Sequence, residues 1–566
     1  MRLLRTLQLQ LRSQLARPAT TLAICLMGLL GGCAAALVIV LFRFAIEHGG
    51  YLVGNSTQWQ QPMSDVSRFV IPLVAVAIIY LLFKLTGFKR IRLGIPYVIH
   101  RMKQHYGILP WRSTLNQFFG GIIALIAGFS VGREGPAVHL GAASATWLGY
   151  HVDAPKNSIR TLAACGIAAA IAASFNTPLA AMVLVMEVVL REYKVHIFIP
   201  VMLAAVAGSL ITEQIFGPTT EFAMLIPVNI EPATLPSVVL FGLLLGVIGV
   251  VFKALMLDVL KTVQPIALST RLLFAGLITA ILALLIPSSH GPGLSAIAQV
   301  AMSHPAMSVI FTLLFAKTVA AAVALGMGVP GGLIGSVFGI GAISAALFVS
   351  LLSPLHWMPV DSFDTFILLG MAGMLAASIH APLAALLAIV ELSGSIEVVI
   401  PAMLVIVPAY LVSNQLFRSK SIFIAQLELQ DLPYQIAPVT IALQKTGVEA
   451  VMEREFKLLL DPTQEELLDA LETAQAQSVV VMTVNENNQP EYRMVSYDIA
   501  AAYGENPSLN YLPLQGLRIT ATLSEVYDIL SPQRRGAVYI YDQDSNDPLA
   551  LVTWETVRKA LQRELA

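Results

Sequence analysis

Long apolar runs, several of them interrupted, constrain the fold of this chain more than any other feature. Of its 566 residues, 56% are hydrophobic and 12% are charged, a balance typical of a protein that lies largely within a bilayer. A helix needs about 20 apolar residues to cross the hydrocarbon core. The runs at 20–46, 69–85, 236–257 and 272–286 reach or approach that length. The sequence therefore predicts an all-α polytopic membrane protein over most of its length.

Glycine, proline and polar residues break the rest of the apolar sequence into pieces too short for simple crossings. These breaks fall between residues 117 and 189, and again between residues 308 and 412. Discontinuous helices at membrane depth are tolerated only where they are buried in protein or line a cavity. The pattern therefore indicates a transport pathway.

The second set of breaks repeats the first. Residues 166–189 and 370–393 align without gaps at an offset of 204 and share ten identities in 24 positions, Glu187 and Glu391 among them. A duplicated membrane half with interrupted helices in corresponding positions points to a site at the interface of the halves. Because Glu187 and Glu391 are symmetric, we expect them to hold the halves together rather than to bind a substrate.

Charge density divides the chain near residue 430. Residues 1–430 contain 24 Lys/Arg and 15 Asp/Glu, whereas residues 431–566 contain 10 and 20. A small soluble α/β domain is therefore predicted to follow the membrane domain. The predicted domains are an amphipathic cytoplasmic helix at 1–18, a membrane domain at 19–430 with halves near 19–220 and 235–430, and a cytoplasmic domain at 431–566.

Four arginines precede the first apolar run. By the positive-inside rule they place the N-terminus in the cytoplasm. We expect an integral protein of a bacterial inner membrane, with both termini cytoplasmic. The overall net charge of −1 gives no reason to expect a nucleic-acid partner.

Three glycine-bearing segments have the form of helices that start inside the membrane: "RLGIP" at 92–96, "GREGP" at 132–136 and "GVPGG" at 328–332. A helix N-terminus offers unpaired backbone N–H groups and about half a positive charge. Glycine lets an ion approach the backbone, and proline at the first helical position loses only an N–H that has no partner there. We therefore expect the three starts to converge on an anion site.

The second of these starts carries Arg133 and Glu134 in an apolar setting. A structural ion pair is one interpretation. The other is that the Glu134 carboxylate, itself an anion, occupies the place of the permeating ion and leaves it when protonated or outcompeted. Ionisable residues within a membrane are functional by default, so we favour the second interpretation.

In this order and spacing, "GREGP", "GIP", "FNTPLA" and "GVPGG" resemble the CLC family of chloride channels and chloride/proton exchangers, over about residues 20–430. The resemblance implies an inverted repeat of tilted helices in the lipid bilayer, working as a homodimer with one pore per subunit. It implies transport of chloride and similar small anions, with Glu134 as the gating glutamate that takes up protons. The residues that the resemblance places at the anion are Arg133, Leu93, Gly94, Ile95, Gly135, Leu333, Ile334, Gly335 and Phe423.

The chain departs from the family's pattern at several positions. The third motif, usually GxFxP, lacks both the Phe and the Pro at 332–336. Leu93 replaces a serine and Phe423 replaces a tyrosine, so two side-chain hydroxyls that would reach the central anion are absent. Val188 occupies the position at which exchangers often carry an internal proton glutamate, and that carboxyl group is therefore lost. These departures favour channel-like or loosely proton-coupled transport. A stoichiometric chloride/proton antiporter is the alternative.

Three further polar residues in apolar surroundings each have two interpretations. His139 and His380 could relay protons, but a hydrogen bond to a neighbouring helix is the interpretation that we favour. Lys317 could raise the positive potential of the pore, or it could snorkel or have a structural role. The sequence leaves these two possibilities for Lys317 open.

Residues 447–566 alternate helical and strand-like runs in the order helix, two strands, helix, two strands, helix. This order resembles a tandem pair of CBS modules, which often bind adenine nucleotides through a T-x-x-D motif. The second motif reads "TWET" at 553–556, and the first, near Asp498, is one residue short. We therefore predict no cofactor, with an adenine nucleotide on the tail as the alternative. No HExxH or GxSG motif is present, so an enzyme is not expected.

Overall fold

The computed structural model describes most of the chain, and the account below concerns these residues alone. They are residues 12–53, 63–88, 92–217, 222, 225–228, 230–303, 305–355, 362–435, 437–474, 477–484, 489–497, 509–542 and 545–565. Within these ranges, nine helices are long and apolar enough to cross a membrane, judged by length and composition. The fold confirms the prediction of an all-α polytopic membrane protein followed by a small α/β domain.

The chain forms two compact units. The larger, here called the membrane unit, comprises residues 24–149 and 160–434. The smaller, the soluble unit, comprises residues 1–23, 150–159 and 435–566. The soluble unit thus includes the start of the chain as well as the tail. Of the predicted N-terminal helix, residues 12–15 are helical, and the remainder up to residue 11 lies outside the described residues.

The helices that begin between residues 22 and 422 are numbered in chain order. They are α1 Leu22–Val53, α2 Asp65–Leu85, α3 Gly94–Gln104, α4 Trp111–Ile126, α5 Glu134–His151, α6 Lys156–Phe175, α7 Pro178–Leu184, α8 Val195–Phe216, α9 Leu235–Val263, α10 Leu268–Leu285, α11 Gly293–Ser303, α12 Met307–Met327, α13 Ile334–Leu352, α14 Phe363–Ile379, α15 Pro382–Ser393, α16 Val399–Leu411 and α17 Ile422–Leu429. π-Helical turns continue two of them, Val185–Leu190 after α7 and Val412–Leu416 after α16.

Close backbone contact between helices is repeated in the two halves. Gly141 and Gly166 lie where α5 crosses α6, and Gly341 and Gly370 lie where α13 crosses α14. A Cβ atom on any of these four residues would overlap the carbonyl group of its partner glycine. Small residues at helix crossings let membrane helices pack closely. The duplication seen in the sequence is therefore also a duplication of helix packing.

Two symmetric carboxylates link the halves. The Glu391 carboxylate accepts hydrogen bonds from the backbone N–H groups of Leu179 and the following residue, at 2.9 and 2.8 Å. The Glu187 carboxylate accepts bonds from Leu383 and the following residue, at 3.3 and 2.9 Å. Each carboxylate satisfies the first turn of a helix in the other half, where negative charge is favourable. These bonds confirm the expected role of both residues.

The soluble unit contains two small sheets. Its elements are α18 Pro438–Leu443, β1 Phe456–Leu460, α19 Gln464–Thr473, β2 Ser478–Val484, β3 Pro490–Tyr497, β4 Leu509–Pro513, β5 Gln515–Arg518, α20 Leu523–Leu530, β6 Ala537–Asp542, β7 Ser545–Thr553 and α21 Trp554–Leu565. One sheet has the order β1-β2-β3-β4 and the other β5-β6-β7. The first pair of each sheet is parallel and the remaining pairs are antiparallel. Strand, helix, strand, strand is therefore the unit that repeats.

The predicted order of the tail was incomplete. The helices α19, α20 and α21 and the strands β2, β3, β6 and β7 lie where the sequence predicted them, but helix α18 and the strands β1, β4 and β5 were missed. These three strands are only five, five and four residues long, respectively, which gives too few positions for a clear alternation of apolar and polar residues.

The start of the chain is bound within the soluble unit. Arg12 forms an ion pair with Asp153 at 3.0 Å, and the Asn157 side chain donates a hydrogen bond to the Leu15 carbonyl at 3.0 Å. The N–H of Gly447 donates to the Ala16 carbonyl at 2.9 Å. One of the four arginines that precede the first span therefore has an acidic partner.

Candidate anion site

The three glycine-bearing starts converge, as the sequence predicted. Helices α3, α5 and α13 begin at Gly94, Glu134 and Ile334. Gly132 and Gly332, just before the second and third starts, form an antiparallel bridge with N–H to O distances of 2.7 and 2.6 Å. A Cβ atom on Gly94 would lie 3.7 Å from the carbonyl oxygen of Gly331. The positive ends of three helices therefore meet inside the membrane unit.

The Glu134 carboxylate occupies the centre of this junction. Glu134 is buried, with 1% of its surface exposed. A Cβ atom on Gly132 or Gly332 would overlap its Oε2 atom, and one on Gly335 would lie 2.9 Å from its Oε1 atom. The carboxylate thus fills space that exists because these three residues are glycines. It lies beside the start of α13, where an anion is favoured by the helix dipole and by unpaired N–H groups.

A cavity adjoins the carboxylate, since Gly332 contacts Glu134 and also lines the cavity. Its walls come from the starts of α3, α5 and α13, from the segment before α13, and from α17. The lining residues are Leu93, Gly94, Ile95, Pro96, Gly135, Leu325, Gly328, Val329, Pro330, Gly331, Gly332, Leu333, Phe423, Gln426 and Gln430. Six of the residues predicted to face the anion are among them: Leu93, Gly94, Ile95, Gly135, Leu333 and Phe423.

The other predicted anion residues lie elsewhere. Ile334 and Gly335 form the first turn of α13 and do not line the cavity, and Gly335 lies beside the Glu134 carboxylate. The Arg133 guanidinium lies 4.4 Å from the centre of the Phe175 ring and does not line the cavity. A cation over an aromatic face is stabilised by that contact. The cavity therefore gives no support to Arg133 as a direct ligand of the anion.

One predicted backbone donor has a protein partner. The N–H of Gly94 donates a hydrogen bond to the Gln117 side-chain oxygen at 2.9 Å. Gln117 comes from α4 and is fully buried. Gly94 lines the cavity, but its N–H is directed to Gln117, so this donor is not open to the anion as expected. No sequence pattern indicated this contact, which joins residues 23 positions apart.

Two amides on the cavity wall were missed. Gln426 and Gln430 follow Phe423 along α17 and its C-terminal end, and all three line the cavity. Spacings of three and four residues place side chains on one face of a helix. That spacing was visible in the sequence once Phe423 had been assigned to the pore. The amide groups bring N–H donors to a wall from which the family's tyrosine hydroxyl is absent.

Asn176 and His380, which the repeat aligns, have the same structural role. Both follow the last turn of a helix, α6 or α14, in the left-handed conformation, with φ of 55° and 62°. The Asn176 side-chain oxygen accepts a bond from the Ser209 hydroxyl, and a His380 ring nitrogen lies 3.1 Å from the Ser413 hydroxyl. Ser209 and Ser413 are again 204 residues apart. The interpretation of His380 as a histidine bonded to a neighbouring helix is confirmed.

Lys317 is buried and bonded to backbone carbonyls. Its ammonium group donates to the Gly291 oxygen at 2.7 Å and lies 3.4 Å from the Pro292 oxygen. With 1% of its surface exposed, it does not snorkel to the membrane surface. These bonds fix the segment that leads into α11 and favour the structural interpretation.

For His139, a hydrogen bond to a neighbouring helix was expected. His139 is fully buried, and neither ring nitrogen has a hydrogen-bond partner among the described residues. The expected bond to a neighbouring helix is therefore wrong for this residue.

Val188, in the π-helical turn after α7, is 6% exposed and packs in the apolar core. The carboxylate of the adjacent Glu187 is bonded to α15, so it does not replace the missing glutamate.

Comparison with known families decides the identity of this arrangement. A sequence profile described as "Voltage gated chloride channel" matches residues 73–414, more than half of the chain. This chain belongs to the CLC family. The matched range takes in all three converging starts, both symmetric glutamates and every helix from the end of α2 to the end of α16.

Curated CLC relatives are similar over most of the membrane unit. The H(+)/Cl(-) exchange transporter ClcA of Vibrio parahaemolyticus is 26% identical over 423 residues, which cover 71% of this chain and 88% of that protein. ClcA of Klebsiella pneumoniae is 26% identical over 422 residues. ClcA of Yersinia pestis is 27% identical over 368 residues, covering 63% of this chain and 76% of that protein.

Solved CLC structures share the fold. A slow cyanobacterial Cl−/H+ antiporter superimposes with a TM-score of 0.65 at 22% identity, covering 72% of this chain and 97% of that chain. A CLC-type fluoride/proton antiporter gives a TM-score of 0.60 at 23% identity over 71% of this chain and 97% of the other. A eukaryotic CLC transporter gives 0.61 at 17% identity over 94% of this chain and 97% of the other, a range that includes most of the tail.

Proposed function

We propose that this protein exchanges chloride for protons across the membrane, with the Glu134 carboxyl group alternating between the anion's place and proton uptake. The observation that carries the proposal is the burial of that carboxylate among Gly132, Gly332 and Gly335, next to the cavity. A carboxylate and a chloride ion compete for the same N–H groups and helix dipoles. Protonation makes the side chain neutral and removes the competitor, so proton uptake and anion entry are linked.

We choose between channel and exchanger by the activities for which the similar proteins are named. The sequence favoured channel-like transport because Val188 stands where exchangers often have a glutamate. The curated relatives named above are exchange transporters, and two of the similar solved structures are antiporters. They support the alternative, the chloride/proton antiporter, and we adopt it. The proton must then reach the cytoplasm without a carboxyl group at position 188.

We further propose that the anion in the cavity is bound by backbone N–H groups at the starts of α5 and α13, with Gln426 as a side-chain donor. Gly135 and Leu333 line the cavity at those two starts, and Gln426 faces them from α17. Leu93 and Phe423 offer no hydroxyl. Neutral amide donors can solvate an anion, but each lost hydrogen bond removes about 0.5–1.5 kcal/mol of net binding free energy. A weak central site follows.

Orientation and assembly are also proposals. Residues 12–16 and the tail belong to one compact unit, joined by the bond from Gly447 to Ala16, which supports the proposal that both termini are on one side of the membrane. Arg101 and Lys103 lie in the last turn of α3 and Arg112 lies in the first turn of α4, so basic residues stand on both sides of the connection, as expected at a cytoplasmic surface. We assign this side to the cytoplasm of a bacterial inner membrane. The homodimer implied by the family resemblance is proposed as the working assembly.

Wild-type protein in liposomes tests the exchange reaction directly. Liposomes loaded with chloride and diluted into low-chloride buffer are expected to take up protons against a pH gradient, because each chloride that leaves obliges protons to enter. The measurement is external pH recorded beside a chloride electrode. Liposomes without protein and liposomes loaded with an impermeant anion are the controls. Chloride efflux with no proton movement would rule out exchange in favour of the channel-like reading.

The tail is proposed to act without a nucleotide. At the end of the second repeat, the Thr556 N–H donates to the Thr553 hydroxyl at 3.3 Å, and the Thr556 hydroxyl lies 3.3 Å from a Glu453 oxygen. No carboxylate stands at position 556 to accept bonds from a ribose. Titration calorimetry of the full chain with ATP or AMP is expected to give no heat of binding at concentrations up to about 1 mM, a free energy of about −4 kcal/mol. The matched variant is Thr556→Asp, which places the missing carboxylate at position 556. Saturable binding to the wild type would contradict the proposal.

A further inference from the structure

A series of aromatic rings leads from the interior of the membrane unit to its surface. His139 lies on α5, whereas Tyr97, His100 and His105 lie on α3 and at its C-terminal end. Consecutive ring centroids are 6.1, 6.0 and 5.8 Å apart. Exposure rises along the series, from 0% for His139 to 5% for Tyr97 and 7% for His100, and His105 is exposed. All four side chains can bind and release a proton at a nitrogen or oxygen atom.

The inner member of the series lacks the partners that a structural histidine would have. Both ring nitrogens of His139 are without a hydrogen bond among the described residues, although the side chain is fully buried. Buried polar groups in native proteins are nearly always bonded, and the explanations for an exception are a bound water or a functional role. His139 is five residues along α5 from Glu134, a rise of about 7.5 Å. Five residues also place the two side chains about 140° apart around the helix, so the pathway requires a bridging water and a rotation of the glutamate side chain.

The outer members are arranged for release. The Nδ1 atom of His100 lies 2.7 Å from the Pro433 carbonyl oxygen, which accepts only, so Nδ1 carries the hydrogen and Nε2 is left to take up and release a proton. The charged groups near His100 are Arg101 and Arg92, whereas those near His105 are Arg101 and His100 itself. The Arg101 Nε atom donates to the Ile108 carbonyl at 2.6 Å. Nε2 is therefore the nitrogen through which His100 can exchange a proton with its neighbours, and the last ring of the series, His105, is exposed.

The series also passes the position of the missing glutamate. Helix α3 contacts the π-helical turn that carries Val188, because the Lys103 ammonium donates to the Leu190 carbonyl at 2.8 Å. Lys103 also forms an ion pair with Glu192 at 3.3 Å, to which Arg160 and Lys194 are bound as well. Glu192 is thus occupied by three cations. It is not available as a substitute proton carrier, whereas the rings on the same helix α3 are.

We propose that His139, Tyr97, His100 and His105 form the inner leg of the proton pathway, in place of a carboxyl group at position 188. This inference rests on the proposed exchange function. Protonated Glu134 gives its proton to one ring nitrogen of His139, which leaves the carboxylate and an imidazolium ion. The imidazolium releases the proton from its other nitrogen toward the Tyr97 hydroxyl, and the ring is neutral again. The Tyr97 oxygen gains one proton as it gives up its own to Nε2 of His100. The His100 imidazolium releases that proton from Nε2 to a ring nitrogen of His105 and is neutral again, and His105 then gives the proton to the cytoplasm.

The test measures proton and chloride movement together in phosphatidylethanolamine/phosphatidylglycerol liposomes under a chloride gradient. The proteins compared are the wild type, His139→Leu, His139→Gln and His100→Gln. Glutamine keeps hydrogen-bonding capacity and similar size but cannot carry a proton as a cation. The matched control is His48→Gln, since His48 is exposed at the end of α1 and bonded to the Phe44 carbonyl. The ratio of protons to chloride is expected to fall at least tenfold in both His139 variants and in His100→Gln, and to stay at the wild-type value in the control.

The outcomes separate this inference from the function on which it rests. A wild type that moves no protons overturns the exchange function, and the pathway with it. A wild type that pumps protons, together with a His139→Gln variant of unchanged ratio, overturns the pathway alone. A purely structural role for His139 would give a normal ratio in the glutamine variant and poor folding in the leucine variant. If neither His139 variant is recovered as folded protein, the ratio measured for His100→Gln decides.

Discussion

Replacing Glu134 by glutamine is expected to stop proton movement and to leave chloride transport that no longer depends on pH. Glutamine matches glutamate in size, but it binds no proton in the working range and carries no charge. In the wild type, chloride transport is expected to increase as the pH falls, because protonation neutralises the carboxylate that fills the space between Gly132, Gly332 and Gly335. The variant should behave at every pH as the wild type does when Glu134 is protonated. Chloride efflux from liposomes at about pH 4.5, 6 and 7.5, with external pH recorded, measures both effects.

A matched control for this variant is Glu397→Gln. Glu397 is exposed in the connection between α15 and α16 and does not line the cavity. The Glu397→Gln variant should keep both the wild-type proton-to-chloride ratio and the wild-type pH profile. A pH profile for Glu134→Gln that follows the wild type would show that another group controls anion entry. The role of the buried carboxylate would then have to be abandoned, whatever its position among the glycines.

The convergence of the helix starts could be predicted because it depends on local features of the chain. Glycine and proline in "RLGIP", "GREGP" and "GVPGG" mark helix starts through backbone conformation alone, and an anion site needs several such starts. The symmetric glutamates were predictable for a similar reason. Glu187 and Glu391 recur at one offset, and a duplicated fold makes a duplicated contact.

The contacts that could not be predicted join helices whose relative rotation the sequence does not encode locally. The bond between Gly94 and Gln117 takes one predicted donor away from the anion, and it depends on how α4 packs against the start of α3. The stacking of His139 on Tyr97 depends on the crossing of α5 and α3. A helical pattern states which residues share a face of one helix, but it does not state what that face meets.

The variant Gly135→Ala is expected to reduce transport strongly, because the anion site depends on close contact between two backbone segments. A Cβ atom on Gly135 would overlap the carbonyl oxygen of Gly331 and would lie 2.8 Å from both the Gly331 carbon and the Gly332 Cα. All three atoms belong to the backbone, so no side chain can rotate away. The starts of α5 and α13 must then separate, and the bridge between Gly132 and Gly332 must lengthen.

Overpacking of this kind costs about 1–3 kcal/mol of folding free energy. Here the backbone shift that relieves the overlap also changes the geometry of the anion site. Chloride flux in liposomes is expected to fall at least tenfold, and the midpoint of thermal unfolding in detergent is expected to fall by several degrees. Gly31→Ala is the matched control, since its Cβ atom would lie 3.2 Å from the Ala145 Cβ, a contact that a small shift of α1 can relieve. If Gly135→Ala transports chloride at the wild-type rate, the two backbones are not held in contact during transport. The anion would then not depend on the joined helix starts.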